Sequence, residues 1–182
     1  MERTLQGITR TADRKHQASI SRGLGWGAIG GLAGTLTMDL VLMGALSAFG
    51  LPALTCFSIV GNTVARFFSM QSMEIGRAIQ MGIATHYIVG PVIGAIYGMA
   101  VARIQALRVH TLKKSILVAI LYVEILSQPL LATTPILLKM TAPATLLWYG
   151  GSFLMHMIAG AVLGAVVGRG LRLAPAENRG DI

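Results

Sequence analysis

The sequence predicts an all-α fold: an integral membrane bundle of four transmembrane helices, arranged as two repeated hairpins, with one further amphipathic helix at the interface. Three observations predict it. Four apolar stretches have bilayer length, Lys and Arg alternate in density from loop to loop, and one glycine frame occurs twice.

Composition sets the class. Of 182 residues, 54% are hydrophobic and 12% charged, and mean hydropathy is +0.68. Soluble domains carry about 25% charged residues. A spanning helix needs about 20 apolar residues, each rising about 1.5 Å. Residues 24–49, 78–101, 115–138 and 146–167 meet that length. Ala45 and Ser47 resemble a signal-peptide cleavage site. The stretch around them is longer than the usual ~7–15-residue signal core and contains Asp39, so it reads as a retained span.

Orientation follows from the basic residues. Arg3, Arg10, Arg14, Lys15 and Arg22 precede the first span. Arg103, Arg108, Lys113 and Lys114 separate the second from the third, and Arg169, Arg172 and Arg179 follow the fourth. The opposite side has only Arg66, Arg77 and Lys139. Both termini are therefore expected in the cytoplasm. The same bias accounts for the net charge of +8, so no nucleic-acid partner is expected.

The chain divides into a basic cytoplasmic segment at 1–22, a membrane domain at 23–172 and a cytoplasmic tail at 173–182, expected to be disordered. Within the membrane domain, the hairpins occupy about 23–102 and about 115–168. Residues 51–72 are too polar to span, with Asn62, Arg66 and Gln71 among Phe57, Ile59, Val60, Val64, Phe67 and Phe68. Their near-helical apolar spacing predicts an amphipathic helix at the outer interface, opened by Pro52, acting as a lid or a gate.

The repeat lies in residues 86–98 and 156–168, identical at seven of thirteen positions. Both carry His-x3-Gly-x3-Gly-x3-Gly: His86, Gly90, Gly94 and Gly98, then His156, Gly160, Gly164 and Gly168. The preceding spans each carry an acid, Asp39 and Glu124. The first span has its own four-residue ladder, Gly23, Gly27, Gly31, Thr35, Asp39, Met43 and Ser47, and a second line through Gly30, Gly34 and Met38. Small residues at this spacing let helix backbones approach closely.

The ladders end in a polar layer. Asp39, His86, Glu124, Gln128 and His156 fall within about 10 Å of depth. Ionisable groups at this level are costly, usually paired, and a pointer to function. Pro129 frees a backbone carbonyl beside Gln128. Three uses of the layer remain open. Asp–His and Glu–His hydrogen bonds suit an accessory or scaffold subunit, as a homo-oligomer or within a larger membrane complex. His86 and His156 suit axial ligation of haem b, or copper or zinc together with an acid, with several methionines nearby. Two acids and two histidines also suit a proton or small-solute path. No nucleophile elbow, P-loop or zinc-protease motif is present, so an enzyme is not the favoured class. The one cysteine, Cys56, reads as a packing residue.

Gln128-Pro129, Thr134-Pro135, Trp148-Tyr149, Gly151 and His156 form a proline-ended span followed by an aromatic entry and an intramembrane histidine. Over these roughly thirty residues the chain resembles the YagU-like small bacterial inner-membrane proteins. The resemblance implies a bacterial inner-membrane location and no particular reaction.

Overall fold

The computed structural model describes residues 2–70, 73–104, 107 and 111–172, with side chains described between residues 20 and 171. The tail expected to lack order, 173–182, lies outside the described residues. Among the described residues there are five α-helices: α1 (Glu2–Ala48), α2 (Thr55–Phe67), α3 (Ile75–Arg103), α4 (Leu112–Leu137) and α5 (Ala142–Arg172). Four contain segments long and apolar enough to cross a membrane: Ile20–Ala48, Ile75–Arg103, Leu112–Leu137 and Ala142–Leu171. Each matches a stretch read from the sequence and extends it by a few residues. Residues 2–22 of the basic segment are helical. They continue the first span as one helix of 47 residues.

Polarity is distributed as lipid requires. Thr35, Asp39, Thr63, Ser115, Glu124 and Thr134 are buried, whereas Ile29, Leu32, Leu36 and Leu40 form an exposed stripe on α1. A water-soluble bundle does the reverse. Helices in hydrocarbon gain nothing by burying leucine, so their contact faces use small residues and their outer faces use large apolar ones.

The two ladders of α1 serve two partners. A Cβ on Gly23, Gly27 or Gly31 would strike the backbone of Gly98, Gly94 or Gly90 on α3. The second line faces α5: a Cβ on Gly34 would lie 2.7 Å from the Ala159 carbonyl oxygen, and one on Gly30 would meet Leu163. The ladder of α5 in turn packs on α4, where a Cβ on Gly164 would lie 2.6 Å from the Ile116 Cα and one on Gly160 2.7 Å from the Ile120 Cα. Thus α1 packs with α3, α4 with α5, and α1 with α5 joins the hairpins. On the same side, Tyr97, Val101, Ala119, Leu163 and Val167 form a buried apolar cluster.

Outward of Asp39 the expected α1 ladder stops working. No α1 residue beyond Asp39 is buried, and Ser47 is exposed. The reason is α2. It runs antiparallel along the outer part of α3, where a Cβ on Gly82 would strike the Phe57 backbone and one on Gly61 the Ala78 backbone. The ridge on α3 is therefore continuous, Ala78, Gly82, His86, Gly90, Gly94 and Gly98, but it changes partner from α2 to α1. Phe57, Gly61, Thr63 and Ala65 are the buried face of α2. The helix begins at Thr55, three residues after Pro52.

Pro135 in α4 is accommodated by a neighbour. Pro135 has no N–H to give the Leu131 carbonyl one turn earlier. The Trp148 Nε1–H of α5 donates to that carbonyl at 3.2 Å, as membrane helices with freed backbone groups require.

Gly94→Ala and Gly164→Ala should each lower stability by about 1–3 kcal/mol, the usual penalty of overpacking. Gly44→Ala and Gly150→Ala, whose added methyls meet nothing within 4 Å, should be close to neutral. Thermal unfolding in detergent measures the contrast, and equal effects at all four positions would contradict the packing described.

Candidate functional site: the buried polar layer

The layer forms where α3 changes partner. The α1 ladder brings Asp39 opposite His86, and the carboxylate Oδ1 accepts from His86 Nδ1 at 2.9 Å. Asp39 is 3% exposed and the His86 side chain 16%. Phe57 of α2 packs edge-on to the imidazole, with centroids 5.3 Å apart and planes at 64°. Residues of three helices thus meet at one carboxylate–imidazole hydrogen bond.

The second acid is arranged differently. Glu124 is 9% exposed, and its Oε2 accepts from Gln128 Nε2 at 3.3 Å, one turn along α4. The expected Glu–His bond is not formed. His156 Nδ1 instead donates to the Ser152 carbonyl at 2.8 Å on its own helix. A helical carbonyl four residues back lies within easy reach of a histidine, so this local bond competes with the cross-helix one. Asp39 Oδ2 and Glu124 Oε1 are buried without a hydrogen-bond partner.

Both imidazoles therefore use Nδ1 as a donor, since a carboxylate and a carbonyl only accept. Nε2 is then the nitrogen available to a ligand on each ring. Metal-bound histidines commonly show this arrangement, with the second nitrogen tied to a carboxylate or carbonyl. Among the described residues, no three His, Cys, Asp or Glu side chains converge to hold a metal ion. A copper or zinc site combining the histidines with an acid is thus not assembled. Axial ligation by two histidines needs only the two Nε2 atoms.

Two residues at the site carry no signal in the sequence motifs. Cys56 precedes Phe57 on α2. Burial, reinforced by the charge of Asp39, pushes its thiol from 9.0 up to about 12. Tyr87 also lies close enough to Asp39 to interact with it. The side chain of His16 and all of His110 lie outside the described residues.

In a double-mutant cycle, Asp39→Ala and His86→Ala should couple by about 0.5–2 kcal/mol, the range for membrane hydrogen bonds. Additive losses would show that the pair contributes nothing as a pair. Cys56 should resist maleimide at pH 8 in the folded protein and react after denaturation. A pKa raised on folding means that the folded state favours the protonated thiol. Its contribution to stability is full below about pH 9 and is lost as pH rises towards about 12. Labelling at the rate of a free thiol at pH 8 would contradict this. Compared with protein-family models, with curated proteins and with solved structures, the chain matches none.

Proposed function

We propose that this chain is a small polytopic subunit or scaffold of the bacterial inner membrane, with both termini in the cytoplasm. It works as a homo-oligomer or within a larger membrane complex, and its polar layer fixes helix register. The observation that carries this reading is the Asp39–His86 pair, 3% exposed at the carboxylate and enclosed by α1, α2 and α3. Polar contacts of this kind add little net stability in a bilayer but specify which helices pair and at what level. The charge bias of the loops supports the orientation, and the YagU-like pattern supports the location. The two hairpins are related repeats, each pairing an acid-bearing helix with a helix that carries the His-x3-Gly-x3-Gly-x3-Gly frame. The packing of α1 on α3 and of α4 on α5 supports that relation. Helix α2 lies at the outer interface as a lid over the first hairpin.

A second reading has its own support. The Nδ1 bonds of His86 and His156 leave both Nε2 atoms for axial ligation of a b-type haem.

One purification separates them. The full-length chain, extracted in mild detergent from its host, should run with stoichiometric partner subunits and show no Soret band. A stable lone oligomer with no partner would leave the homo-oligomeric form of the proposal. A lone monomer would sink it. A Soret band lost in both His86→Ala and His156→Ala would replace it with the haem reading.

A further inference from the structure

A cleft of about 340 Å³ lies between α2 and the end of α4, away from the polar layer and outward of the Thr63–Thr134 contact. It is lined by Ser58, Ile59, Asn62, Arg66, Met73 and the 137–139 turn. Only three of the fifteen Lys and Arg residues fall in the segments opposite the basic loops, and two of them, Arg66 and Lys139, face this one cleft. No hydrogen bond or ion pair engages either side chain among the described residues.

Two details show that the cleft is built. Asn62 is spent on structure: its Nδ2 donates to the Ser58 carbonyl at 2.9 Å, and its Oδ1 accepts from the Met73 N–H at 3.2 Å. That bond ties the chain before α3 onto α2 and fixes one wall. The other wall is the end of α4, closed by Met140 N–H to the Pro135 carbonyl at 2.9 Å and Lys139 N–H to the Ile136 carbonyl at 3.3 Å. This closure puts Lys139 at φ 51°, the left-handed position that helix ends normally give to glycine. Lysine holds it here, in a residue that lines the cleft.

We infer that this cleft binds a phosphate-bearing anion, with Arg66 and Lys139 as its two cationic contacts. Arginine matches phosphate oxygens with paired N–H donors, and lysine supplies a compact point charge. The wall formed by Ile59, Met73, Leu137 and Leu138 suits the apolar root of a lipid, and Phe67 and Phe68 are exposed at the same end of α2. A phospholipid headgroup and free phosphate share this chemistry.

The test uses the full chain in uncharged detergent. Its unfolding midpoint is titrated with short-chain phosphatidylglycerol, with a neutral glycolipid of the same chain length, and with inorganic phosphate. A ligand that binds only the folded state raises the midpoint. Phosphatidylglycerol should stabilise and the glycolipid should not. Arg66→Gln and Lys139→Gly should each weaken apparent affinity by about tenfold or more. Lys139→Gly discriminates further, because glycine relieves the left-handed position: the variant should be at least as stable without ligand and still bind worse. Stabilisation by inorganic phosphate, with the same loss in both variants, would identify the free anion as a ligand of the same site. No response to either phosphate compound, an equal response to the glycolipid, or full affinity in both variants would overturn the inference.

Discussion

The close approach of helix backbones is the constraint on which the rest of the structure depends. In a bilayer, leucine on a contact face gains nothing over leucine facing lipid, so association must come from packing and polar contact. The α1–α3 pair meets this condition with Gly23, Gly27 and Gly31 against Gly98, Gly94 and Gly90. A four-residue ridge drifts around a helix of about 3.6 residues per turn, so helices that follow it must cross. Crossing helices separate away from the contact. That geometry explains why α1 leaves α3 beyond Asp39 and why the outer part of α3 is open to another helix.

The polar layer sits at that point of separation. Inward of it, side chains larger than glycine would collide. Outward of it, α1 is too far away to touch α3. At Asp39 and His86 the gap has widened enough for a carboxylate and an imidazole and remains narrow enough for a 2.9 Å bond. A buried charge in hydrocarbon costs several kcal/mol when unpaired, so a register shift of one residue that separated Asp39 from His86 would be heavily penalised. Glu124 and His156 bond locally along α4 and α5, and therefore do not tie those two helices to each other.

The spans, the ladders and the members of the polar layer were legible because each rests on local sequence: length of apolar run, spacing of glycine, depth of an ionisable group. What each ladder touches was not. Gly82 and Ala78 continue the α3 ridge outward at the same four-residue interval, and that extension was the available sign that a second helix packs there. The extended α1 ladder misled for the opposite reason, since Met43 and Ser47 keep the spacing after the partner has gone. The partners of Glu124 and His156 were misjudged because Gln128 and the Ser152 carbonyl lie one turn away on the same helices, and spacing across the bilayer cannot weigh a cross-helix bond against a local one. Trp148 read as an interface marker, while its bond to Leu131 follows from counting four residues back from Pro135.

The α1–α3 and α4–α5 pairs close the ends far from the basic loops by different means. In the second hairpin, α4 and α5 are joined by a short turn, and the Trp148 indole satisfies the carbonyl that Pro135 leaves free. In the first, α1 and α3 diverge, and α2 packs on α3 and α4, with Phe57 on His86 and Thr63 against Thr134. Beyond Asp39 the α3 ridge packs on α2 and not on α1. Val41 and Phe49 are exposed there, Phe49 at 81%. The divergence of α1 from α3 opens the place on α3 that α2 takes, and the cover of Phe57 over His86 depends on whether Gly82 and Gly61 let α2 come close.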